Sequence, residues 1–309
     1  MPGLISSTHQ FLCPARPRFT DKDMPDMTNK VVIVTGSNTG LGKEIAQILF
    51  SKNAIVYMMA RSESKTMDAI KAIREVVPGS QGSLHFIRLD LSDLSSIKSS
   101  VDTFLGQESK LHVLYNNAGV GFPEKGSKTK QGYELCFGVN CLGPFLLTRL
   151  LMPTLVSTAE GSIPGSIRIV WVSSSAAESL SPENYVARIS RLDEMSQLDQ
   201  YSFSKLGNYL QGVECAARHK ADNVLSVSLN PGALDMLHPP VFGAYTNLFA
   251  GFSSDVTLDR SGSYIAPWGK LWTVSKNMTD AGKTQAEGGT AIARDFWEWT
   301  EAQVKPYLS

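Results

Sequence analysis

Val31-Val32-Ile33-Val34-Thr35-Gly36-Ser37-Asn38-Thr39-Gly40-Leu41-Gly42-Lys43 opens on β-branched residues, turns through glycines and runs into a segment with Ile45, Leu49 and Phe50 on one side. A short, continuously apolar run suits a strand buried on both faces, and an apolar stripe at helical spacing suits a helix packed along one face. Strand, glycine turn and helix together bring backbone N–H groups and a helix N-terminus to one point, where missing Cβ atoms let a phosphate approach. The spacing excludes two neighbouring motifs. A Walker loop has four residues between its first glycine and Gly-Lys, then Ser or Thr; here five separate Gly36 from Gly42, and Glu44 follows Lys43. The order GxxxGxG also differs from GxGxxG.

Outward from this unit the alternation repeats. Apolar runs at Ala54 to Met59, Leu84 to Leu89, Leu111 to Tyr115, Ile167 to Val172 and Val224 to Leu229 are separated by segments of helical length. Such alternation predicts an α/β fold: a single Rossmann-type, doubly wound parallel sheet of about seven strands with helices on both faces. Length alone favours about two domains, yet no repeat, low-complexity tract or linker divides residues 30–309, so one domain is expected. Residues 1–29, with Pro2, Pro14, Pro17 and Pro25 and no period, read as a loosely packed leader.

Composition limits the function. Lys+Arg and Asp+Glu both number 29, so the formal net charge is zero. Nucleic-acid binders need a basic footprint to replace phosphate counterions, so no nucleic-acid partner is expected. Cys13, Cys136, Cys141 and Cys215 form no CxxC pair or Cys/His cluster, so no metal site and a reducing compartment are expected. The start lacks a basic region and a long apolar core, as a signal peptide would have. Cys141 to Val156, the most apolar stretch, is interrupted by Pro144, Arg149 and Pro153, so no membrane span is expected and the localisation reads as cytoplasmic.

The end of the second strand narrows the ligand. Dinucleotide folds usually carry an acid there for the ribose 2′-OH, but this chain has Met58-Met59-Ala60-Arg61-Ser62. A carboxylate would repel a 2′-phosphate, whereas the Arg61 guanidinium can fork onto one, with Ser37 and Lys43 as helpers. The expected cofactor is NADP(H).

Thr35-Gly36-x3-Gly40-x-Gly42, Asp90 after the third strand and Asn116-Asn117-Ala118-Gly119 after the fourth together resemble the short-chain dehydrogenase/reductase family. The resemblance spans roughly residues 28–275. It implies cofactor contacts from Gly36, Ser37, Asn38, Thr39, Gly40, Leu41, Gly42 and Lys43, from Asp90 and Leu91 at the adenine, from Asn117, Ala118 and Gly119 along the cofactor wall, and from Pro231 and Gly232 beyond the sixth run.

Chemistry is expected at the other end of the sheet. The fifth run ends Ser173-Ser174-Ser175, and Tyr201-Ser202-Phe203-Ser204-Lys205 follows. Tyr and Lys four apart share a helix face. Phenols ionise near pH 10, so acid–base work at neutral pH needs roughly 4 kcal/mol of preferential phenolate stabilisation, which a neighbouring ammonium and an oxidised nicotinamide can supply. The family pattern implies Tyr201 as proton donor and acceptor, Ser174 as the group orienting the substrate oxygen with Ser173 or Ser175 as the alternative, Lys205 as ribose ligand, and Asn140 as the helix asparagine holding a relay water. The implied reaction is hydride transfer between nicotinamide and a carbonyl or carbinol carbon.

Two departures bear on the substrate. Met236 stands where many members have a threonine for the nicotinamide carboxamide, with Asp235 or backbone as substitute. The stretch between Ser174 and Tyr201 is longer than is common in the family, and residues 178–199 are expected to form a flap or an extra helix. The longer spacing, Asn38-Thr39-Gly40-Leu41-Gly42-Lys43 and the position of Arg61 look most like the retinol-dehydrogenase-like branch, and Gly243-Ala244-Tyr245-Thr246, Ser263 to Gly269 and Phe296-Trp297-Glu298-Trp299 look like its fungal members, with a place in secondary metabolism as the implied setting. The resemblance implies a substrate lid after the Pro231-Gly232 turn, over about 233–260, and Leu234, Met236, Leu237, His238, Val241, Phe242 and Tyr245 make it apolar, suited to a hydrophobic carbonyl or alcohol. Phe296, Trp297 and Trp299 read as helix core. A homodimer is compatible with the sequence. Two other functions fit the same motifs: a non-redox isomerase, cyclase or dehydratase, and a noncatalytic NADP(H)-binding sensor.

Overall fold

A computed structural model describes residues 16–234 and 237–308. Eight strands form one sheet in the order β3-β2-β1-β4-β5-β6-β7-β8. They are β1 (Val31–Thr35), β2 (Ile55–Ala60), β3 (Ser83–Arg88), β4 (Val113–Asn116), β5 (Ile167–Val172), β6 (Val224–Leu229), β7 (Tyr264–Ala266) and β8 (Lys270–Trp272). All neighbouring pairs are parallel except β7 and β8. The doubly wound α/β fold is therefore present, with one antiparallel edge strand beyond the seven expected. Every residue of β1, β5 and β6 is buried, as strands covered on both faces require. The strand order reverses between β1 and β4, which opens a crevice at the carboxyl ends of the strands.

One helical layer contains α1 (Gly40–Ser51) and α2 (Glu63–Val76); the other contains α3 (Leu94–Leu105) and α4 (Leu135–Glu160). The helix α4 runs on through both prolines that were expected to interrupt it. Residues Gly138–Leu142 form a π turn, and Pro144 follows in the first turn of the renewed α-helix, where a missing N–H is tolerated. This helix is long and apolar enough to cross a membrane, but 83% of its most apolar window is buried inside the fold, so here it is a core element.

The long segment between Ser174 and Tyr201 folds as an extra helix rather than a flap. It contains a 3-10 turn at Ser175–Ser179, the short α5 (Tyr185–Arg188) and a second 3-10 turn at Ile189–Glu194. Tyr185 is buried, stacks on Phe203 with ring centroids 4.0 Å apart, and donates its O–H to the Phe203 carbonyl at 2.8 Å. Phe203 lies on α6 (Gln197–His219), whose first turn is capped by Ser196.

One expectation is sharpened and another corrected. Within the stretch expected as a lid, about 233–260, α7 (Pro240–Phe252) buries Ala244, Leu248, Phe249 and Ala250 in the core shared with α1. Its last turn is tied to the sheet by Arg168, which donates to the carbonyls of Ala250 and Ser253 at 3.0 Å each, and Tyr115 donates to the Asn247 carbonyl at 3.2 Å. Burial holds the Arg168 guanidinium down to about 10. The described part of the leader is also packed. Met24 and Met27 join that core, Phe19 meets Phe249 edge to face, and Tyr245 donates to Asp21. Cys13, Asp235 and Met236 lie outside the described residues.

After β8, α8 (Lys276–Ala281) leads to α9 (Ile292–Val304). Phe296 and Trp297 are fully buried and Trp299 packs beside them, so this aromatic cluster is helix core, as expected.

Candidate active site

The crevice at the strand reversal is a cleft of about 410 Å³, bounded by Gly36, Asn38 to Gly42, Met59 to Arg61, Leu89 to Ser92, Asn117 to Val120, Leu135, Val139 and Val172. Its floor is made by backbone. Thr35 at the end of β1 donates its hydroxyl to the Tyr115 carbonyl and accepts the N–H groups of Asn117 and Ala118 at 3.0 and 2.9 Å. Asn117 Nδ2 returns to the Thr35 carbonyl at 2.8 Å, so the Asn-Asn-Ala-Gly segment is bolted to the first strand. A Cβ on Gly42 would stand 2.4 Å from the Gly36 carbonyl oxygen, which explains glycine at this position.

Helix α1 begins here without a side-chain cap: Thr39 bonds no first-turn N–H, whereas Ser62, Asp93 and Ser196 cap α2, α3 and α6. Its leading amides are free to meet an anion. Asp90 accepts from the N–H and hydroxyl of Ser92, which fixes its carboxylate at the cleft wall, and the cap of α3 is Asp93 instead. Arg61 reaches the same cleft from the end of β2.

Not every expected cofactor residue lines the cleft. Ser37 is fully buried, and its hydroxyl donates to the Val34 carbonyl at 2.9 Å, so it shapes the turn. Lys43 stands on α1 outside the lining, and Pro231 and Gly232 lie beyond β6, with Trp268 packed where a Gly232 Cβ would go. Tyr201 and Lys205 adjoin the inner end of the cleft rather than line it.

At that inner end Lys205 is buried and its Nζ donates to the Val172 carbonyl at 2.8 Å. Nζ also lies 3.3 Å from the point a Gly119 Cβ would occupy and 5.8 Å from the Tyr201 ring centroid. Of the serines, Ser173 is buried and donates to the Lys205 carbonyl at 2.7 Å, which locks β5 to α6. Ser174 is half-buried; its hydroxyl oxygen accepts the Ala176 N–H, leaving its own proton to donate. Asn140 brackets Val120 through Oδ1 and Nδ2 at 2.8 and 3.0 Å and donates to Ser204 at 2.9 Å. Its carbonyl has no i+4 amide partner because Pro144 lacks an N–H, and Asn208 Nδ2 bonds it.

Three contributors were not foreseen in the sequence. Tyr264 of β7 donates to the Ser174 carbonyl at 2.9 Å, and Trp272 of β8 donates to Glu178 at 3.2 Å, so the terminal hairpin clamps the serine turn. Phe122 stacks on Tyr201. Among the described residues the cysteines do not line the cleft. Cys136, Cys141 and Cys215 are free and buried, and burial pushes the Cys136 and Cys215 thiols up to about 12.

The fold and cleft are those of a doubly wound α/β protein, and the comparisons give the family. The family model described as short chain dehydrogenase matches residues 30–187. A short-chain dehydrogenase/reductase of Phomopsis amygdali is 47% identical, covering 96% of this chain and 95% of its own length. The short-chain dehydrogenase/reductase bet4 of Neocamarosporium betae is 42% identical, covering 98% and 94%. This chain belongs to the short-chain dehydrogenase/reductase family, among fungal relatives. Among solved structures, an uncharacterized protein from Mycobacterium paratuberculosis matches with a TM-score of 0.72 at 29% identity, covering 93% of this chain and 97% of that one. A metagenomic short-chain oxidoreductase in complex with NADP matches with a TM-score of 0.56 at 25% identity, covering 74% and 93%.

Proposed function

We propose that the protein is an NADPH-dependent carbonyl reductase, interconverting a ketone or aldehyde and an alcohol on a hydrophobic small molecule. The observation that carries this is the junction at Lys205, where the cleft wall (Gly119, Val172) meets the helix bearing Tyr201. The uncapped α1 terminus and the glycine turn suit a diphosphate, Asp90 and Leu91 suit an adenine, and Arg61 suits a 2′-phosphate. The NADP complex of the metagenomic relative supports the same choice.

When bound, the nicotinamide supplies or accepts the hydride. The chain does the rest. Lys205 has two N–H groups left after its bond to Val172, enough for a ribose diol. Its Nζ stands 5.8 Å from the Tyr201 ring centroid, so the ammonium, the ribose it would hold and the phenol share one corner of the site. Tyr201 donates its proton to the carbonyl oxygen in reduction and removes it in oxidation, while Ser174 donates a hydrogen bond to that oxygen. Asn140 is a positioning residue that joins the Val120 strand exit to α6. Free, buried cysteines suit a reducing compartment, so a cytoplasmic site of action is part of this reading, as is a role in fungal secondary metabolism.

NADPH absorbance followed with a panel of lipophilic ketones and aldehydes tests the proposal. Consumption of NADPH with formation of the matching alcohol is expected. Conversion of a substrate without any change in NADPH would instead indicate isomerase or dehydratase chemistry. NADPH binding without conversion of any member would indicate a sensor.

A further inference from the structure

Phe122 combines two features that folding alone disfavours. It is a large apolar side chain left 58% exposed. Its backbone has φ +51°, the left-handed region that bulky residues rarely enter. Both sides of it are nevertheless tied down: Val120 is bracketed by Asn140, and the Pro123 carbonyl accepts from Gln197 in the first turn of α6. Strain held in place by its surroundings gathers at ligand sites, and this residue lies on the candidate catalytic phenol. The Phe122 and Tyr201 rings stack with centroids 5.4 Å apart and planes 29° from parallel. Leu198, 57% exposed, projects from the same helix three residues before Tyr201. An aromatic face and an aliphatic neighbour therefore meet solvent beside the phenol, held by a rigid loop.

We propose that Phe122 is a specificity-determining residue, and that the substrate is a carbonyl compound with a flat, apolar ring system next to its C=O group. This rests on the carbonyl-reductase reading. A flat ring lying across the open face of Phe122 covers apolar surface on both partners and brings its attached carbonyl to the rim where Tyr201 stands. An acyclic ketone of similar polarity gains little from the same face.

The test compares 2-acetonaphthalene with 2-butanone in wild-type protein, Phe122→Ala and Phe122→Trp, each checked for folding by circular dichroism and NADPH affinity. Phe122→Ala should lower the naphthyl-to-butanone ratio of kcat/KM about tenfold, mainly through KM for the naphthyl ketone, and Phe122→Trp should keep the ratio high. An equal loss on both ketones would overturn the proposal, since Phe122 would then serve only to hold Tyr201. An unchanged ratio would overturn it as well.

Equilibrium binding of 2-acetonaphthalene to NADPH-loaded Tyr201→Phe protein separates this inference from the redox reading. If wild type converts no member of the ketone and aldehyde panel but binding still weakens about tenfold with Phe122→Ala, the redox reading falls and the ring site stands. If the ketone does not bind, or binds equally without Phe122, the ring site falls whatever the turnover.

Discussion

The two ends of the candidate active cleft are made from different materials. At the cofactor end, around β1, β2 and β4, the surface offered is backbone: the amides of Asn117 and Ala118 held by the Thr35 hydroxyl, Gly42 against the Gly36 carbonyl, and a helix start left uncapped. At the substrate end, around β5 to β8, it comes from side chains reaching across long sequence separations: Ser173 to Lys205, Asn140 to Ser204, Tyr264 to Ser174 and Trp272 to Glu178. A backbone cradle accepts the same nucleotide whatever decorates the fold, whereas a side-chain scaffold can be re-cut for a new substrate one residue at a time. The same division predicts that damage at one end leaves the other working.

The sharpest break between the ends should come from Tyr201→Phe. Turnover should fall by about 10²–10⁴-fold, while the NADPH dissociation constant, read by fluorescence titration, changes by less than about twofold. Collapse of NADPH binding in this variant would show that the two ends are one unit.

Next in size is a pH effect beneath the cofactor end. His112 is buried beside β4, and its Nδ1 accepts the Val31 N–H at 3.0 Å. Burial, aided by Lys30 and Lys110, holds the imidazole down to about 4. The unfolded chain takes up this proton near pH 6.5, before the folded one does. The contribution is therefore complete above about pH 6.5 and is lost as pH falls toward 4, by up to about 3 kcal/mol. Urea denaturation between pH 7.5 and 4.5 measures it, and His112→Asn, which does not titrate, should be flatter across that window.

Arg61→Glu probes the cofactor end directly. The preference for NADPH over NADH, as a ratio of kcat/KM, should drop about tenfold to a hundredfold, the worth of a charge-assisted hydrogen bond together with the new repulsion. An unchanged ratio would remove Arg61 from the 2′-phosphate. The smallest effect belongs to the substrate end. Tyr264→Phe deletes the O–H that holds the Ser174 carbonyl, and kcat should fall about fivefold with NADPH affinity preserved, as for one net hydrogen bond.

The same contrast governs what could be read from the sequence. The β1 turn, Asp90, the Asn-Asn-Ala-Gly segment and the Tyr–Lys pair are local patterns, because backbone geometry ties each function to neighbouring residues. Long-range packing hid the rest. The apolar residues of the stretch 233–260 do not say which of them face the core, and only the fold shows α1 and the described part of the leader packed against Ala244, Leu248 and Phe249. Pro144 and Pro153 suggested a break in α4, but Pro144 falls in the turn after a π bulge and the surrounding core holds the helix together. A three-residue strand such as β7 or β8 has no period to detect, so the clamp on Ser174 was hidden. Two signals were available. Pro144 four residues after Asn140 marks a carbonyl without its helical partner, and Phe122 after Gly121 places an aromatic ring on a loop next to the cofactor wall.

The packed leader also matters for anyone who produces this protein. A truncation that starts at Lys30, where the nucleotide motif begins, would strip Met24 and Met27 from the core they share with Leu49 and Phe50 and remove the bond from Met27 N–H to the Lys52 carbonyl. It would also expose the Phe249 ring that Phe19 covers. A domain boundary drawn from the motif would therefore yield a sticky, poorly behaved fragment, and an expression start upstream of Phe19 keeps this apolar surface out of water.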